Sequence, residues 1–116
     1  MTLPRSPITT HVLDTSRGCP AAGVPVSIDF ERGGSWEKLG GTVTNEDGRV
    51  PTLLAGRTLE AGRYRVSFNT NAYFSEHKTP AFYPYVQIVF EVCDLEQHYH
   101  IPLLLSPFGY STYRGS

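Results

Sequence analysis

From Ile8 to Asp14 the chain alternates Ile8, Thr10 and Val12 with Thr9, His11 and Leu13. That period of two belongs to a strand with one buried face. A second stretch places Val24, Val26, Ile28 and Phe30 on one side and Pro25, Ser27 and Asp29 on the other. Gly33-Gly34 turns the chain into a third segment, from about Ser35 to Thr44. Asn45-Glu46-Asp47-Gly48 is a turn with a glycine ready for positive φ, and a short strand over Arg49 to Thr52 follows. Beyond Ala61-Gly62, the residues Tyr64, Val66 and Phe68 face inward. From Tyr85 to Val92 the apolar face is Val86, Ile88, Phe90 and Val92. His98 to Leu105 is the next strand, Ser106-Pro107-Phe108-Gly109 turns, and Tyr110 to Ser116 ends the chain. Only Asn71 to Lys78 reads as helix, with Asn71 as its cap and Pro80 as its stop. Seven or eight short strands and one short helix predict an all-β sandwich or barrel.

Composition narrows this. A chain of 116 residues fits one domain over 1–116, with residues 1–6 as a flexible lead. A net charge of -1 leaves no electrostatic footprint for nucleic acid or an anionic membrane. No stretch approaches the ~20 apolar residues of a membrane span. Pro4 and Pro7 interrupt a start that lacks a signal-peptide apolar run, so a cytoplasmic protein is expected. Cys19, in a Gly18-Cys19-Pro20 turn, and Cys93 are too far apart for a CxxC pair and are expected as free thiols. No zinc spacing and no phosphate loop is present, so neither metal nor cofactor is called for. So small a domain rarely encloses a deep pocket, so a site is expected on its surface or between chains.

Chemistry concentrates in the histidines. His77 falls among charged residues of the predicted helix and reads as solvated. His98 and His100 share one face of their strand, opposite Tyr99, Ile101 and Leu103, and His11 lies opposite Ile8 and Val12. Three imidazoles on outer sheet faces are compatible with ordinary surface histidines, with a metal site, or with acid–base chemistry near neutral pH. Leu13 and Leu104 on those faces suggest a covered surface, hence an oligomer interface. Arg49, directly after the Asp47-Gly48 turn, is either solvated or a planar fork for an anionic or carbonyl oxygen. The Tyr113-Arg114-Gly115-Ser116 ending is either a frayed tail or part of a site, with Tyr110 and Tyr113 supplying apolar area to dock it.

Thr10-His11-Val12-Leu13-Asp14-Thr15, Gly48-Arg49, the run from His98 to Pro107 and the ending Tyr110 to Ser116 together resemble the 5-hydroxyisourate hydrolase family. These are the transthyretin-related enzymes of urate breakdown. The resemblance runs from about Ile8 to Ser116, and the terminal tetrapeptide is its specific part. It implies a sandwich of two four-stranded antiparallel sheets with one short helix. It also implies a homotetramer, a dimer of dimers, with active sites at subunit interfaces along a central channel. The implied reaction converts 5-hydroxyisourate to 2-oxo-4-hydroxy-4-carboxy-5-ureidoimidazoline by attack of water on a cyclic amide, without metal or cofactor. The family's catalytic positions fall on His11, Arg49, His100 and Ser116, and its substrate-binding positions on His11, Arg49, Tyr113 and Arg114; His98 is secondary. Ser116 would act through its hydroxyl and terminal carboxylate. Transthyretin itself, the hormone carrier, has the same framework without that ending or the site histidines. A carrier of a small aromatic ligand is therefore the alternative reading, and a bare sandwich for adhesion a third.

Overall fold

The computed structural model describes residues 6–54 and 56–116. Its elements are β1 (Ile8–Asp14), β2 (Cys19–Pro20), β3 (Pro25–Arg32), β4 (Ser35–Val43), β5 (Gly62–Phe68), α1 (Thr70–Glu76), β6 (Val86–Val92), β7 (Tyr99–Ser106) and β8 (Gly109–Thr112). They form two four-stranded sheets, in the orders β2-β1-β7-β8 and β4-β3-β5-β6. The core lies between them. Ile8, Val12, Leu103 and Leu105 from the first sheet meet Val26, Ile28, Val66, Phe68 and Val86 from the second. Each of these stands on the inward set of an alternating strand, so the pleat alone sorts them.

The expected sandwich is present, with local differences. One pairing, β1 with β7, runs parallel rather than antiparallel. These strands come from opposite ends of the chain, so no hairpin fixes their relative direction. The expected strand at Arg49 to Thr52 is a single bridge, His11 to Arg49, followed by turns. Pro51 cannot donate to a ladder. Val50, Leu53 and Leu54 instead bury at helical spacing and close one end of the core. Cys19 lies not in a turn but in β2, opposite Asp14 of β1, and both Cys19 and Cys93 are free thiols.

The helix starts one residue before the expected cap. Asn69, not Asn71, is the N-cap, and its Oδ1 accepts the Ala72 N–H at 3.1 Å. This register buries Thr70, Tyr73 and Phe74 together. The helix ends before Pro80 is reached: His77 is its exposed C-cap, and Lys78 takes φ +52. The flexible lead expected over 1–6 lies, for residues 1–5, outside the described residues. Among the described residues no helix is long and apolar enough to cross a membrane.

Candidate active site

β1 and β7 are the central strands of their sheet, and their register sets the site. Thr9 stands beside His100, and His11 beside Pro102. Thr9, His11 and His100 belong to the outward, half-buried positions of their strands. Thr9 Oγ1 lies 2.8 Å from His98 Nε2 and 2.8 Å from His100 Nδ1. One hydroxyl therefore joins both imidazoles.

The turn before Arg49 is locked from within and from below. Asn45 Oδ1 accepts from the N–H groups of Asp47 at 2.9 Å and Arg49 at 3.0 Å. Gly48 N–H donates to the Asn45 carbonyl, and Asn45 N–H to the Arg49 carbonyl, both at 2.9 Å. The Gly48 carbonyl accepts the Val12 N–H at 2.8 Å, which pins the turn to β1. Gly48 takes φ +75, and a Cβ there would meet the Val12 carbonyl oxygen at 2.3 Å. Only glycine fits that approach.

The tail returns to the same face. Thr112 donates its hydroxyl to the Pro102 carbonyl at 2.7 Å, and Gly115 N–H donates to the His100 carbonyl at 2.9 Å. Thus Ser116, Arg49, Thr9, His98 and His100 line one cleft of about 450 Å³, with Asn45 and Thr52 on its wall. That volume suits a small-molecule ligand. A cleft of similar size, about 490 Å³, opens against the other sheet beside Lys38, Ser67 and Gln87. No histidine, cysteine or carboxylate lines it, and its titratable groups are Lys38 and Tyr85, so it lacks the imidazole pair of the first cleft.

His11 is not among the lining residues, but its backbone bridges to Arg49, which is. Burial first, and then the positive charge of Arg49, hold the His11 imidazole below its ordinary value of 6.5. A hydrogen bond to the Asp47 backbone and the Asp47 charge work the other way. His11 is accordingly a neutral imidazole at pH 7.

Tyr113 and Arg114 point elsewhere. They line a second groove with Ile88, Phe90 and Tyr99. Arg114 lies over the Tyr99 ring, 4.7 Å from its centroid, and donates from Nη2 to Gln97 Oε1 at 2.5 Å. Neither is among the residues that line the His100 cleft. Among the described residues no group of three His, Cys, Asp or Glu could hold a metal ion. His98 Nε2 and His100 Nδ1 both turn toward Thr9. Thr9 is the residue that sequence reasoning missed. Its only signal was that period two places it on the His11 face.

Residues 8–115 match the model of the HIUase/Transthyretin family. A probable 5-hydroxyisourate hydrolase of Caenorhabditis elegans is 45% identical over 114 residues, covering 98% of this chain and 84% of the relative. The structure of Klebsiella pneumoniae 5-hydroxyisourate hydrolase superimposes with a TM-score of 0.81 at 42% identity, covering 94% of this chain and 92% of that one. Sea bream transthyretin, in complex with thyroxine, superimposes at 0.90 with 31% identity over 95% of each chain. The backbone thus overlays the transthyretin more closely, while the sequence is nearer the hydrolases. The paired sheets, the histidine-bearing strands and the match over nearly the whole length agree: this chain belongs to the HIUase/transthyretin family.

Proposed function

We propose that this protein hydrolyses 5-hydroxyisourate to 2-oxo-4-hydroxy-4-carboxy-5-ureidoimidazoline, a step of urate catabolism. The observation that carries the reading is the shared cleft of His100, Arg49 and Ser116, with His11 bridged to Arg49 at its edge. Opening a cyclic amide needs an activated water, support for the tetrahedral oxyanion and a proton for the leaving nitrogen. His100 takes the proton of the attacking water. His11, held neutral, orients that water, and the proton taken by His100 passes on to the leaving nitrogen. Arg49, a planar fork on a rigid turn, holds the oxygen on which charge develops. Ser116 offers its hydroxyl as an orienting partner. Tyr113 and Arg114 act through the tail, because the grip of Arg114 on Tyr99 and Gln97 holds Gly115 and Ser116 against β7.

The protein works as a homotetramer, a dimer of dimers, in which another copy covers the outer face of the β1–β7 sheet. Leu13 and Leu104, half-buried beside the site histidines, support that cover, and it places the active sites at the interface.

The second reading, a carrier of a small ligand without turnover, draws on the close overlay with thyroxine-bound transthyretin. A shared backbone does not settle chemistry, whereas the site side chains bear on it directly. Urate oxidase generates 5-hydroxyisourate in a cuvette, and its absorbance decays slowly in water. Added protein should accelerate that decay catalytically. Stoichiometric binding with an unaltered decay rate would favour the carrier.

A further inference from the structure

The cleft contains a hydroxyl to which neither the family resemblance nor the reading above gives a task. Thr9 Oγ1 stands 2.8 Å from His98 Nε2 and 2.8 Å from His100 Nδ1. A threonine hydroxyl has one hydrogen to donate. It cannot donate to both nitrogens, so one imidazole must bring its own hydrogen to the oxygen. The three groups thus form a directed chain, and its direction sets the tautomer of His100. If His98 Nε2 carries the hydrogen, Thr9 donates to His100 Nδ1, and neutral His100 is protonated on Nε2. If His100 Nδ1 carries it, Thr9 donates to His98 Nε2, and the lone pair of His100 is on Nε2. The Gly115 backbone passes beside the Cδ2 edge of the His100 ring, so close that a Cβ on residue 115 would stand 2.6 Å from that carbon. Ring rotation is therefore restricted, and Nδ1 stays with Thr9.

We propose that Thr9 is a positioning residue that, with His98, holds His100 in the Nδ1–H tautomer and so makes Nε2 the proton-accepting nitrogen. This rests on the assignment of His100 as the base. The balance is simple. His100 Nδ1–H donates to Thr9 Oγ1, Thr9 O–H donates to His98 Nε2, and His98 carries its own proton on Nδ1. When water gives a proton to His100 Nε2, the resulting imidazolium keeps its Nδ1–H bond to Thr9, and Thr9 neither gains nor loses a proton. An imidazole whose other nitrogen is so fixed is the usual arrangement by which a histidine is kept in its working form.

The test is steady-state kinetics on full-length Thr9→Val, Thr9→Ser, His98→Phe and His100→Asn, with nitrogen-15 NMR of histidine-labelled protein. Thr9→Val should lower kcat on the order of ten- to a hundredfold, the scale of lost partners to a working imidazole, with KM little changed. Thr9→Ser, which keeps the hydroxyl, should recover most of the loss. His98→Phe should also lower kcat, and adding it to Thr9→Val should cost little more, because both cut one chain. In the unmodified protein the His100 Nε2 resonance should be that of an unprotonated nitrogen, and in Thr9→Val a mixture of tautomers should replace it. A protonated Nε2 in the neutral ring would overturn the inference, and needs no variant to fold. Full turnover by Thr9→Val, with His100→Asn inactive, would overturn it while leaving the base assignment intact. Full turnover by His100→Asn would overturn the assignment and this inference together.

Discussion

Gly115 and His100 are fitted to each other. The Gly115 N–H donates to the His100 carbonyl at 2.9 Å, and a Cβ on residue 115 would stand 2.6 Å from His100 Cδ2. The tail is therefore one wall of the seat that holds the imidazole. Gly115→Ala must shift the ring or lift the tail. A misplacement of this kind costs on the order of a hundredfold in turnover. The tail is otherwise exposed, so the melting temperature should hardly change. Kinetics alongside a thermal melt checks both halves of that expectation.

Gly48 is a stability matter first. Any side chain there combines φ +75 with a 2.3 Å approach to the Val12 carbonyl oxygen, and neither backbone can yield without breaking the Val12–Gly48 hydrogen bond. Gly48→Ala should lose more than about 2 kcal/mol in a urea titration. It should also weaken activity under folding conditions, because Arg49 follows directly on that turn.

Asp14 and Tyr73 tie β1 to the helix. Tyr73 donates its hydroxyl to Asp14 Oδ2 at 2.7 Å in the interior. Burial opposes ionisation of Asp14. The Ser16 hydroxyl, the Tyr73 hydroxyl and the backbone N–H groups of Arg17 and Ser16 outweigh it and hold the carboxyl below its ordinary value. Burial and Asp14 push the Tyr73 phenol up to about 12, so it remains a donor at all working pH values. Tyr73→Phe should cost about 1.5–3 kcal/mol, the value of a hydrogen bond to a charged group. A carboxyl with a lowered native pKa stabilises the fold above its unfolded value and loses that contribution as pH falls through the native one. The deficit of Tyr73→Phe should therefore be full at neutral pH and shrink in acid. Denaturant midpoints against pH measure it.

His11 acts in the same direction, in a higher pH window, although here it is the neutral form that the fold favours. Its native pKa lies below 6.5, so the unfolded chain takes up this proton first as pH falls. Stability then declines between 6.5 and the lowered native value. His11→Asn should flatten that part of the stability profile, just below pH 6.5. It should also impair turnover. A stability profile unchanged by the substitution would show that His11 is not the group responsible.

Much of this was legible in the chain. Alternation at Ile8–Asp14, Val24–Phe30, Tyr64–Phe68 and Val86–Val92 marked buried faces that the structure retains. The pleat is a local rule and needs no partner strand to be read. Pairing is not local. Nothing near Thr9 announces that its neighbour is His100, or that the two strands run parallel. The same blindness hid Thr9 as the bridge between two histidines. The expected strand over Arg49 to Thr52 misled for another reason: a short segment beside a turn, with Val50 as its apolar residue, fits a strand as well as a capping loop, and only the open end of the core decides. Arg114 was read as facing substrate, while its stacking on Tyr99 needed the fold to bring the tail past β7.

Hydrolysis of 5-hydroxyisourate in the His100 cleft is the proposal on which the residue roles depend. Its most direct test compares the unmodified protein with His100→Asn on freshly generated 5-hydroxyisourate, after both give the same circular dichroism and the same size in solution. Rapid catalytic loss of the substrate absorbance is expected with the unmodified protein. The variant should be slower by on the order of 10²–10⁴, the scale of a general acid–base group. Equal rates for the two proteins, or no acceleration by either, would contradict it.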